Sequence, residues 1–265
     1  MGAPCSCVRR MDSAQMATFE AIISKPLHQA TTTGTPDSSA QASRELAAYL
    51  QSEGHSMPKK LIRLFNYHID HPNAQHIQLK LCSMHDSDWK HFLILATTCK
   101  FIKQLVVWKV GLSSLGFRTV CKAVSALQRL EELTLEDVGL GHHRLAELAK
   151  ELKELKCLRM INLAVNDLGA EEIEVIAPAL GQIGTLENVN LDENLAGDGG
   201  CQQLCKALEQ LEALTSLSFR HNCLSLVGLQ QLVTLGMRHR RLKVLAEGND
   251  IGERELEKLC VTPAL

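Results

Sequence analysis

Aromatic residues are scarce in this chain: two Trp, two Tyr and six Phe make up 4% of 265 residues. A core so short of rings has to be filled by Leu, Ile, Val and Ala, and the 45% apolar and 22% charged shares are ordinary for a folded chain. Net charge is nearly missing too, since 28 basic against 30 acidic side chains leave −2. Without an overall basic field the chain has no general means of holding nucleic acid or an anionic membrane, so nucleic acid is not an expected partner. No stretch approaches the ~18 apolar residues of a membrane span. The first residues, MGAPCSCVRRMDSAQMATFEAIIS, lack the apolar run of a secretion signal. A cytoplasmic location is the expectation.

Catalytic constellations are missing as well. His68, His71, His76, His85 and His91 crowd the N-terminal part, but no spacing pairs them with cysteines as in a zinc site. The carboxylates of LEELTLEDVGL read as the polar face of a half-buried strand rather than as an acid and base pair. No catalytic residue, metal or cofactor is therefore expected.

What the chain does have is self-similarity. Leu158, Ile161, Leu163, Asn166 and Leu168 define L-x-x-L-x-L-x-x-N-x-L, and stepping 28 residues forward gives Leu186, Val189, Leu191, Asn194 and Ala196, then Leu214, Leu217, Phe219, Asn222 and Leu224. Stepping back gives Leu130, Leu133, Leu135, Val138 and Leu140, then Ile102, Leu105, Val107, Val110 and Leu112, then Ala74, Ile77, Leu79, Cys82 and Met84. Frames thus start at 74, 102, 130, 158, 186 and 214; a seventh, from Leu242 and Leu245, reaches Asn249 and Ile251 one residue early, which places a deletion in its strand segment.

The second half of each frame carries apolar residues 15, 18, 19 and 22 positions after its start, one face of a helix. Leu145, Leu148, Ala149 and Leu152 are one such set; Cys201, Leu204, Cys205 and Leu208 are another. The unit is strand, loop, helix. Ten cysteines then cease to look like a disulfide framework, because Cys99, Cys121, Cys201, Cys205 and Cys260 fall on the apolar helix positions and act as small hydrophobes. Asn166, Asn194 and Asn222 can pair their amides with inward-facing loop backbone, a role Cys82 fills weakly and Val110 and Val138 cannot fill, so those two loops should differ or use water. Pro178, inside a helix segment, should kink it or stop it early.

The 28-residue unit, with segments INLAVNDLGAEEIEVIAPAL and VNLDENLAGDGGCQQLCKAL, resembles the ribonuclease-inhibitor class of leucine-rich repeats, and Gly116, Gly200 and Gly228 match a glycine common in that class. The resemblance covers residues 74–265 and implies an α/β solenoid with a curved parallel sheet inside and helices outside. Within that class the chain looks most like the C-terminal array of NOD-like receptors, helped by the helix KKLIRLFNYHIDHP before the first strand. That family's nucleotide-binding loop G-x-x-x-x-G-K-[ST] does not occur here, so ATP-driven assembly does not carry over.

Outside the array, residues 1–43 read as a flexible N-terminal segment ending in a linker, KPLHQATTTGTPDSSAQAS, and residues 44–73 as two helices capping the first repeat. MGAPCS fits M-G-x-x-x-[ST], with Gly2 as the myristate acceptor and Cys5 and Cys7 placed for a second acyl chain that would associate the chain with a membrane; the other reading is a chance match. At the far end LCVTPAL offers no polar closing unit, which points to truncation or a partner.

Strands stack at ~4.8 Å while packed helices need ~8–10 Å, so the array must curve with its strands inside. Residues 1, 4 and 6 after each frame start then face the concave side, flanked by 2 and 7. This face collects Lys80, Lys103, Val106, Trp108 and Lys109, then Glu131, Glu132, Thr134, Glu136 and Asp137, then Asp192 and Glu193, then Arg220 and His221. Charge is expected to be segregated along the curve, with Trp108 as an interface anchor unless the cap folds over it. The expected function is a non-catalytic protein-protein interaction module, in innate-immune sensing or regulation if the finer resemblance holds. The alternatives are an enzyme inhibitor or regulator like ribonuclease inhibitor, or a regulator of small GTPases.

Overall fold

The computed structural model describes residues 36–249, with side chains from residue 38. Gly2, Cys5, Cys7 and Cys260 lie outside the described residues.

Seven strands, β1 (His76–Lys80), β2 (Gln104–Trp108), β3 (Glu132–Glu136), β4 (Met160–Asn162), β5 (Asn188–Asn190), β6 (Ser216–Ser218) and β7 (Lys243–Leu245), form one sheet in sequence order. Every pairing is parallel. Helices α3 (Trp89–Thr98), α4 (Ser114–Ala126), α5 (His142–Leu152), α6 (Ala170–Leu180), α7 (Gly197–Leu208) and α8 (Leu226–Arg238) alternate with them. The chain is therefore an α/β leucine-rich-repeat solenoid.

The sheet register confirms the frame. His76 pairs with Gln104, Gln104 with Glu132, Glu132 with Met160, Met160 with Asn188 and Asn188 with Ser216, a step of 28 each time. The last step differs: Ser216 pairs with Lys243 and Leu217 with Val244, so Val244 and not Leu245 takes the inner position. Leu242 N–H still bonds His239 as Leu214 N–H bonds Leu211, so the missing residue lies between Leu242 and Lys243, at the threshold of the strand.

Inner strand residues such as Ile77, Leu105, Leu133, Ile161, Val189 and Leu217 and helix residues such as Leu148, Ile176 and Leu204 join one continuous core. Gly116 explains the recurrent glycine: a Cβ there would stand 2.6 Å from the indole of buried Trp89. Pro178 neither kinks α6 out of place nor shortens it, because α6 ends at Leu180, the same 22 residues into its frame as Leu152 and Leu208 in theirs. The proline sits in the helix's last turn, on its exposed side.

The asparagines work one frame backwards. Asn166 Oδ1 accepts from the N–H groups of Val138 (3.1 Å) and Leu140 (3.3 Å), and its Nδ2 donates to Leu135 O at 2.8 Å. Asn194 serves Asn166 and Leu168 likewise. The loop holding Val138 is thus completed by its successor. Around Val110 the Arg144 guanidinium donates to Leu112 O at 2.6 Å as well as to the Val138 and Gly139 carbonyls.

At the N-terminal end, α1 (Pro36–Glu53) begins inside the segment read as linker. Buried Leu46 and half-buried Tyr49 and Leu50 give it an apolar face that meets α2 (Lys59–Asp70), with Tyr49 stacked on Phe65 at 5.8 Å. Ser, Thr and Gly content masked this short amphipathic pattern. Cys99, Cys121 and Cys201 are buried as expected, Cys205 only half so, and the described cysteines are free thiols.

Candidate protein-interaction face

Position 7 of each frame leaves the strand with a left-handed backbone: Leu81 (φ 50°), Lys109 (51°), Asp137 (50°), Val165 (58°), Glu193 (53°) and His221 (51°). None is glycine, so each carries a conformational penalty of roughly 1–2 kcal/mol. The compensation is regular. Every one of these N–H groups donates to the carbonyl at position 6 of the next frame, from Leu81 to Trp108 (3.0 Å) through Glu193 to Arg220 (2.9 Å) and His221 to Glu247 (3.1 Å). The rim of the concave face is thereby fixed, and its side chains project at set angles.

Trp108 ends β2 at position 6 of its frame, half-buried, in register with Lys80 on one side and Glu136 on the other. The indole lies beside the Glu136 carboxyl and favours its charged form. Asn162 Nδ2 donates to the same carboxylate at 2.8 Å. Glu136 is only 4% exposed, which corrects the expectation of an open acidic contact. Burial pushes its carboxyl up to about 7, and the charges of Glu193 and Asp137 push the same way, against Asn162 and the indole. Val106 and Thr134, expected to face outward, are also buried.

Segregation of charge along the curve is the second expectation that changes. Basic and acidic side chains meet across neighbouring frames, at the strand ends: Lys103 with Glu131 at 2.7 Å, Lys109 with Asp137 at 4.0 Å, and Arg159 with Glu187 at 2.6 Å. Arg220 pairs with Asp192 at 3.6 Å and with Glu247 at 2.7 Å, while Asp192 also accepts from the Arg220 N–H at 2.8 Å. Desolvation raises the Asp192 carboxyl in spite of these partners. Such exposed pairs add only ~0–1 kcal/mol each to stability, but they cancel the fields that a separated basic and acidic stretch would project. The physical reason is the 28-residue step, which puts a residue directly beside its counterpart in the next frame.

Glu132 accepts from Gln104 Nε2 at 2.7 Å, so it too has a partner. Lys80 is half-buried, Glu193 is half-buried with its carboxyl raised by desolvation, and His221 is exposed. The face therefore brings together most of the expected residues but in a paired, near-neutral form, with Trp108 as its large amphipathic side chain. The Trp108, Glu136 and Asn162 triplet was the part that sequence reasoning missed. Its signal was available once frames were aligned: an asparagine at position 4 lies diagonal to a carboxylate at position 6 of the frame before.

Among the described residues no group of three or more His, Cys, Asp or Glu could hold a metal ion, and no helix is long and apolar enough to cross a membrane.

No protein-family model matches the chain, and no curated protein is similar to it at a significant level. Solved structures are similar. One, described as leiomodin-1 actin-binding site 2, has 18% identity and a TM-score of 0.47 over 57% of this chain and 87% of that one. An internalin from Listeria monocytogenes has 16% identity and a TM-score of 0.34 over 64% of this chain and 55% of that one.

Proposed function

We propose that this solenoid is a non-catalytic protein-interaction module that receives its partner on the concave strand face, with Trp108 as the anchor. The observation that carries the reading is a half-exposed tryptophan set in register between Lys80 and buried Glu136 on the strand face. Tryptophan is among the side chains that dominate interface energetics. The self-paired charges around it favour a partner that presents apolar and neutral polar groups over one recognised by bulk charge. An innate-immune sensor or regulator related to NOD-like-receptor arrays is the finer form of the reading, supported by helix α2 directly ahead of the first strand.

The test uses a photo-crosslinking residue placed at Lys109 on the face or at Lys122 on the exposed side of α4, in the full chain within its own cells. Crosslinks from position 109 that Trp108→Ala removes, with none from position 122, are the expected result. Crosslinks only from position 122, or ones at 109 indifferent to Trp108→Ala, would move the site off this face.

A further inference from the structure

Helices α7 and α8 enclose a groove of about 340 Å³ on the outer side of the array, lined by Cys205, Lys206, Glu209, Val227, Gln231 and Arg238. That volume lies within the range of ~300–1,000 Å³ typical of small-molecule sites. Cys205 is half-buried at its wall, and its Sγ stands 3.9 Å from that of fully buried Cys201. In neighbouring frames the same two positions hold Leu145 with Ala149 and Ile173 with Ala177, so the dithiol is peculiar to this repeat.

The two sulfurs have different surroundings. Cys201 Sγ donates to Gly228 O at 3.4 Å in the core, whereas Cys205 borders the groove. The 3.9 Å separation also puts the Cys201 S–H within reach of a Cys205 thiolate. That contact holds the Cys205 thiol below its ordinary range, against desolvation, and pushes Cys201 up. Cys99 and Cys121 show the contrast, since burial pushes both thiols up to about 12 and leaves them inert.

The rest of the groove supplies recognition. Lys206 is exposed at the rim, without an ion-pair partner among the described residues, while Arg238 is held by Glu209. A cation for a carboxylate beside a nucleophilic sulfur, in a groove of this size, describes a small anionic disulfide.

We infer that Cys205 is an S-thiolation site that takes low-molecular-weight anionic disulfides of the glutathione class, with Cys201 as the positioning residue and Lys206 as the recognition group. The Cys205 thiolate attacks one sulfur of the disulfide. A new Cys205 S–S bond forms, the original S–S bond breaks, and the released thiolate takes up the proton that Cys205 gave away. Cys205 is oxidised and the leaving thiol is reduced, so no further reagent is needed.

The experiment incubates the full chain with glutathione disulfide and maps modified cysteines by mass spectrometry without reduction. Cys205 should be modified several-fold faster than Cys157, which is exposed and serves as the accessibility control. Cys201→Ala, checked for native circular dichroism, should slow Cys205 several-fold. Lys206→Gln should slow the reaction with glutathione disulfide several-fold but leave that with uncharged hydroxyethyl disulfide unchanged. Modification of Cys157 at an equal or greater rate overturns the site, as does a Cys205 rate insensitive to Cys201→Ala. Equal effects of Lys206→Gln on both disulfides overturn the recognition of an anion.

Discussion

Substituting Asn166 by alanine isolates what the asparagine ladder contributes. Three backbone groups lose their partner: the N–H of Val138, the N–H of Leu140 and the carbonyl of Leu135. Asn166 Nδ2 also donates to the Leu163 and Ala164 carbonyls, but these keep the Asn194 amide and the Asp137 N–H respectively. At ~1–3 kcal/mol for each orphaned buried group, with some relaxation, Asn166→Ala should destabilise by about 3–5 kcal/mol. The matching change at Asn222 is the internal control. Its amide donates to the Leu191 and Arg220 carbonyls, both of which retain another donor, Asn194 and the Glu193 N–H, and its Oδ1 has no partner. Asn222→Ala therefore orphans no backbone group and should cost about 1 kcal/mol. Urea unfolding followed by circular dichroism compares the two at equal m-value. Equal losses, or a loss at Asn166 under about 1 kcal/mol, would refute the account of loop satisfaction.

Three further outcomes follow from the same structure. Glu136 holds its proton to about 7 in the folded chain against 4.5 unfolded, so the folded state binds more protons in that window and stability falls as pH rises through it. Glu136→Gln should thus stabilise by up to about 3 kcal/mol above the window and not at all below it, read from denaturant midpoints on either side. His68 is buried with its imidazole lowered to about 4 by burial first and by His76 and His71 next. The unfolded chain then binds the extra proton, so stability declines as pH drops from 6.5 toward 4, and His68→Leu should flatten that decline in a thermal melt. Gly116→Ala drives a methyl into the Trp89 ring and should cost about 1–3 kcal/mol, whereas Gly141→Ala, with nothing within 4 Å, should be neutral; tryptophan emission reports both.

The fold was legible because its signal is repeated: one period, read six times, outweighs the ambiguity of any single apolar run. Individual frames were less secure. Leu242 and Leu245 imitate the template in the seventh, but only strand pairing shows that Lys243 already stands 27 residues from Ser216. The surface was harder to read, since facing direction says where a side chain starts and not what it meets. Glu136 points to the concave side as its position requires, yet its carboxylate is buried and accepts a hydrogen bond from Asn162. Likewise Lys103 and Glu131 looked like members of opposite patches until register placed them side by side. Val138 has no partner inside its own frame; its N–H bonds Asn166 in the next one.

That backward service gives the array a direction. Asn249 completes the loop of Asn222 and Leu224, as Asn194 completes that of Asn166 and Leu168. Taking whole repeats from the N-terminal side leaves these asparagine-to-loop bonds in place in what remains. Removing the repeat that holds Asn194 strips the N–H groups of Asn166 and Leu168 in the unit before it. Amide exchange at Val138, Leu140, Asn166 and Leu168 should accordingly report on the repeat that follows each loop and not on the one that carries it.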